Sequence, residues 1–344
     1  MNSDEIGVIT SDFSGSGRFY TMNTQANFLL NYIPIYSDAT GTYIENSVYI
    51  INRLGRDTIQ ILDPNFFYLL KGEFTTGKNT NPHGIATYKD KAYITLYDKN
   101  YLLVVDKITG LELKKIDLSI FAETQNELFP DGLPESSGII EFNQKIYVAL
   151  QRLDRSSIEY VFPPTDFSLL IEIDPSLDTI QYVHQFLFKN PISKLKIYNI
   201  FGEECIYVAN AGYLGFNFRI DGGIEGFCPQ SYNQHTILKE DKVGGDIMDF
   251  VILNSSKGYA LVSFSDFSNQ VVEFNPQNGE INKEIIFYKN QEGFSAGLEV
   301  DNRGMLYIGE SSNYPVIRIY NTNLDTFESI VPLPQRPTEI FRIR

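Results

Sequence analysis

Three histidines, two cysteines and a scatter of acids are the groups from which any chemistry would have to be built. His83 stands in "NPHG", whereas His184 and His235 have no motif around them. A general base needs a carboxylate beside it and a substrate within reach. His83 is therefore the one catalytic candidate, conditional on a partner from elsewhere in the chain. Cys205 and Cys228 belong to no CxxC, and the spacing of Cys and His gives no support to a zinc centre. The two cysteines, in what read as neighbouring strands, make either one disulfide or two thiols. GxSxG, P-loop, GxGxxG and HExxH signatures are absent. The "GSG" from Gly15 to Gly17 and the "DGG" from Asp221 to Gly223 read as hairpin turns.

The elements that must position these residues are repeated. Short runs of β-branched and aromatic residues, punctuated by Gly, Asn, Asp and Pro, mark strands and hairpins. "VYIINR", "AYITLY", "IYVALQ", "IYVANA", "YALVSF" and "LYIGES" recur roughly every 50 residues and align Tyr49, Tyr93, Tyr147, Tyr207, Tyr259 and Tyr307. A third strand follows each, as in "YLLVVDK" and "QVVEFNP". A four-stranded sheet cannot bury both faces alone, and radial packing of such sheets gives a propeller. Six full units leave three strands at the N-terminus and "RPTEIFRIR" at the C-terminus. Together these complete a seventh unit. The expected fold is all-β: a seven-bladed β-propeller of four-stranded antiparallel blades, closed by pairing the C-terminal strand with the N-terminal strands, as one domain over residues 1–344. A tyrosine repeated in every unit reads as packing between blades, its hydroxyl reaching a backbone carbonyl.

Asymmetry enters through the loops that lead into the innermost strands, which gather at the mouth of the axial channel. "TGKNTNPHG", "LFPDGLPESSG", "LFKNPISKL", "KVGGDIMDF", "NQEGFSAGL" and "LPQRPTEI" place His83, Asp131, Glu135, Lys194, Asp246, Glu292, Arg336 and Glu339 near one rim. These are the candidate ligand-binding residues. Their oxygens are chemically compatible with Ca²⁺ or Mg²⁺, but their spacing matches no cation motif, and no cofactor is expected. Two long hairpins, "LQRLDRSSIEYVFPPTDFSLL" and "NAGYLGFNFRIDGGI", are expected on the opposite face, where "YVFPPTDF" would form a stiff lip or a packed loop cover.

The formal net charge of -15 excludes nucleic acid and anionic membrane surfaces as generic partners. No apolar run is long enough to span a bilayer. The polar residues after Met1 contain no signal peptide, and an export leader outside this chain is expected. A monomer is expected.

Pro82, Gly84, Tyr93, Ile94, Asp106, Thr109 and Gly110 form a pattern that resembles the YVTN-type, YncE-like seven-bladed propellers. "IYVAL", "IYVAN", "LYIGE", "IEIDPSLDTI" and "VEFNPQNGEI" repeat parts of it, while several blades have a shortened Asp/Thr-Gly signature. The resemblance implies export to the periplasm or cell surface, in some relatives as lipoproteins, and a binding role. A cytoplasmic location is the other possibility. Propeller lyases and lactonases look similar at repeat level, so the repeat carries fold better than activity. The expected function is a non-enzymatic extracytoplasmic scaffold that recognises a protein, peptide or glycan through one face. The alternative is a lyase or hydrolase at the channel mouth, using His83 and rim carboxylates, with or without a divalent cation.

Overall fold

The computed structural model describes residues 5–25, 28–124, 130–157, 162–214, 219–289 and 293–343. Apolar and β-branched residues alternate with turn formers along the chain, and each group of four strands pairs in sequence order into one antiparallel sheet. Seven such sheets form the ring. In the last, Arg336–Arg342 is the inner strand, followed outward by Glu5–Ser11, Ser16–Asn23 and Phe28–Tyr36. The register runs from Ile6 opposite Arg342 to Ser11 opposite Arg336, with a bulge between Ile9 and Thr10. Closure is thus the expected one, and it ties N-terminal and C-terminal strands into one sheet.

Seven apolar clusters among the described residues fill the seven blade–blade interfaces. Each repeated tyrosine lies in the cluster shared with the following blade, as Tyr93 does between the second and third blades. The hydroxyls mostly meet carboxylates rather than carbonyls. Tyr147 donates to Glu172 at 3.2 Å, Tyr259 to Glu273 at 3.0 Å and Tyr307 to Asp301 at 3.0 Å. Tyr93 reaches across to the next blade, donating to Asp178 at 2.5 Å. A charged acceptor roughly doubles the strength of such a bond. The closing blade has no such tyrosine. There the Phe341 ring covers Gly7, where a Cβ would lie 2.6 Å from the ring, and stacks on Phe19 at 6.0 Å.

The inner strands approach so closely in part of the ring that they need glycine. A Cβ at Gly84 would lie 2.7 Å from Ile139 of the next blade, and one at Gly41 would lie 2.5 Å from Phe341. Cys205 and Cys228, which the sequence left open, are joined as a disulfide across adjacent strands of the fourth blade. No helix among the described residues is long and apolar enough to cross a membrane.

Candidate functional site

The long hairpins lie on the same face as the loops leading into the inner strands, not on the opposite one. The reason is parity. In a four-stranded antiparallel blade the second and fourth strands run the same way, so the turn after the second strand and the link to the next blade emerge at one end. Backbone bonds tie the two together in successive blades: Arg53 N–H to Asp38 O at 2.8 Å, Tyr97 N–H to Asn81 O at 3.0 Å and Gln151 N–H to Glu135 O at 3.1 Å.

This brings Arg155, from the first long hairpin, to the rim. Its guanidinium pairs with Asp98 at 2.7 Å and Glu135 at 3.0 Å, with Asp131 at 3.9 Å. It covers the Tyr97 ring at 4.6 Å, and Tyr97 in turn stacks on His83 at 4.4 Å with the planes 12° apart. His83 is thus the far end of an Arg–Tyr–His stack. Burial, aided by the Arg53 and Arg155 cations, holds its pKa well below the usual histidine value. The imidazole is neutral there, and the charges acting on it are cationic. Asp131 and Glu135 reach the same cluster but engage Arg155, and Glu135 also accepts from Leu153 N–H at 2.9 Å.

The second meeting point is the channel itself. Lys194 forms an ion pair with Glu339, and both are tied to Gly41, Lys194 through the carbonyl and Glu339 through the N–H. Lys196 pairs with Asp249 at 2.7 Å, and Asp249 accepts from Leu298 N–H at 3.0 Å. Burial works against the Lys196 charge, but Asp249 and the nearby Glu299 outweigh it and its pKa is raised. Burial also raises the Glu299 pKa, against the pull of Lys196. These groups line a cavity of about 900 Å³, a volume typical of ligand sites. It is off-centre: the first, fourth, fifth, sixth and seventh blades line it, and the glycine-packed inner strands of the second and third do not.

Phe13, Leu54, Phe267 and Phe294 border the same cavity and are exposed to solvent. Phe13, Leu54 and Phe267 sit at hairpin tips with φ of 56°, 40° and 63°, a left-handed conformation that side chains with a Cβ rarely adopt. Turns on the other face also expose apolar residues, among them Phe67, Leu177 and Leu324. Phe67 is joined there by exposed Phe66, Leu69 and Leu70 of the same segment, and none of these residues borders the cavity.

The remaining candidates separate. Arg336 lies at the mouth, donating to Asn313 at 3.1 Å, and lines two depressions that share Phe13, Phe267 and Phe294 with the main cavity. Asp246 is buried at the start of an inner strand. It lies beside Glu240, whose carboxyl burial pushes up to about 8 against hydrogen bonds from Ile247 and Gly222 N–H, with Asp246 adding to the rise. Glu292 lies outside the described residues, as do Tyr160 and Val161 of "YVFPPTDF". Among the described residues the rim carboxylates form no group of three or more close metal donors. The sequence reading missed Arg155, Lys196, Asp249 and Glu299. Lys196 and Glu299 pair opposite the repeated Tyr207 and Tyr307, where the second, third and fifth blades carry Ala86, Ile140 and Val251, and a charge at that uncharged position was the available signal.

No protein-family model matches the chain, and no curated protein matches it in sequence. Solved structures do match in fold. Dihydro-heme d1 dehydrogenase NirN, in complex with DHE, superimposes with a TM-score of 0.64 at 11% identity, over 99% of this chain and 76% of that one. AztD from Citrobacter koseri, in its apo form, gives 0.61 at 10% identity, over 100% and 98%. A functionally unknown protein from Desulfotomaculum acetoxidans gives 0.58 at 12%, over 100% and 99%. The chain shares the β-propeller scaffold of these proteins. Likeness at such identity is one of fold, and the scaffold hosts both enzymes and binding proteins.

Proposed function

We propose that the chain is a non-enzymatic binding scaffold acting outside the cytoplasm, and that it holds an apolar-sided segment of a protein or peptide at the channel mouth. The observation that carries this is the apolar lip. Four exposed apolar side chains from four blades border one cavity whose floor is ion-paired and polar. A rigid ring that presents such groups pays little ordering cost on binding. Buried aromatic anchors surrounded by polar groups carry most of the energy at protein interfaces. The disulfide in the fourth blade supports an oxidising compartment. The alternative lyase or hydrolase reading has less support, because His83 is neutral and faces Arg53 and Arg155.

The test is selection of binders from a random peptide library on the immobilised chain, with a glycan array in parallel. Peptides with apolar anchors are expected, and a Phe13→Ser, Phe267→Ser double variant should weaken them by about ten-fold or more with the fold unchanged by circular dichroism. Chelator should leave affinity unchanged. Peptides indifferent to both substitutions, or binding only to glycans, would refute the peptide reading.

A further inference from the structure

We propose that the fourth blade carries a second site, remote from the channel mouth: a redox-gated site for a divalent cation of the zinc class, formed by Cys205, Cys228, His235 and Glu203. The four residues come from the turn ends of one sheet, on the face opposite the cavity. The strand Glu204–Asn210 pairs with Gly223–Cys228 so that Ile206 faces Phe227, and one step further the register sets Cys205 against Cys228. His235, on the outer strand, pairs with Gly226. Gly226 is two residues before Cys228 and therefore on the same face of the sheet. Glu203 follows the turn after the inner strand and accepts a hydrogen bond from Ser231 at 2.7 Å. The His235 ring stacks on Phe201 at 4.5 Å.

One donor atom from each of the four lies within 4.8 Å of the others. A tetrahedral cation with bonds of about 2.0–2.3 Å holds its donors roughly 3.3–3.8 Å apart, so small side-chain movements suffice. Two features are superfluous for a structural disulfide. His235 Nε2 is buried with no hydrogen-bond partner, and Glu203 is held facing the sulfurs. Two sulfurs, an imidazole and a carboxylate select zinc-like cations over Ca²⁺ or Mg²⁺.

The disulfide and the metal exclude each other, because the ligand is the thiolate. A dithiol reductant supplies two electrons and two protons and becomes a disulfide itself. The Cys205–Cys228 bond breaks and two thiols form. Binding the cation then displaces both thiol protons to solvent. The blade is thus clamped by a covalent bond under oxidising conditions and by a cation under reducing ones.

Cobalt(II) is the probe, titrated anaerobically into the full chain before and after reduction with a phosphine, which is itself converted to its oxide. The reduced chain should take up one equivalent, with a thiolate-to-cobalt charge-transfer band that zinc bleaches, and the oxidised chain should take up none. Because loss of the cysteines risks the fold, His235→Ala and Glu203→Gln are made with both cysteines in place. His235→Ala should weaken cobalt by more than about ten-fold, the scale on which even outer-shell partners act. Absence of the band in the reduced chain overturns the proposal, as does equal uptake by the oxidised chain or by His235→Ala.

Discussion

At the scale of single residues, the groups that look reactive in the sequence are held in place by charges from other blades. His83 is the clearest case. Its stack on Tyr97 and its position near Arg53 and Arg155 make it a neutral packing residue. Because its folded pKa is depressed, it contributes stability that is full above the ordinary value of 6.5 and is lost as pH falls below it. Glu240 acts with the opposite sign. Burial raises its carboxyl from 4.5 to about 8, so the folded chain keeps a proton that the unfolded chain releases. The stability it contributes is full below about 4.5 and is lost as pH rises toward 8. Glu240→Gln removes this dependence. Urea unfolding at pH 5 and pH 8 should show the variant losing less stability than the parent over that interval, and parallel profiles would contradict the assignment.

At the scale of elements, inner-strand glycines let neighbouring blades pack closely, and charged inner-strand residues stand beside the open channel. Gly84 sits where a Cβ would lie 2.7 Å from Ile139 and 3.3 Å from the Ser137 carbonyl. Backbone cannot yield as a flexible side chain can, so Gly84→Ala should cost about 1–3 kcal/mol, read as a lower urea midpoint at unchanged slope. A change under 0.5 kcal/mol, the size of an ordinary surface substitution, would show that the blades do not meet this tightly. The fourth, fifth and sixth blades put Lys196, Asp249 and Glu299 on the corresponding strands, and the cavity opens beside them. The turns after each second strand matter as well, since they raise Phe13, Leu54 and Phe267 over that cavity.

At the scale of the whole molecule, one short strand holds the ring shut. Arg336–Arg342 pairs with the first strand, and its Phe341 fills the interface between the seventh and first blades. Its Glu339 pairs with Lys194 across the channel. Removing residues 336–344 exposes a strand edge and an apolar interface together. The truncated chain should bind a hydrophobic dye, lose its single cooperative melting transition and aggregate. A monomeric product melting like the parent would show that the ring does not depend on this closure.

The repeat was legible in the sequence because it is local. Alternating strand residues, turn formers and Tyr at one position in each unit specify four-stranded sheets, their order and, by counting the leftover strands, the closure. The tyrosines' packing role followed from their repetition, but their carboxylate partners did not. The site is not local. Lys194 and Glu339 are far apart in sequence and meet only because the ring closes. Arg155 reaches Glu135 only because strand parity puts the hairpins and the inner-strand lead-ins at one end. The choice between two thiols and a disulfide depended on the register of two strands, which composition does not specify. Periodicity determines which elements form; which side chains converge depends on the distances and directions between blades, and those exist only in the closed ring.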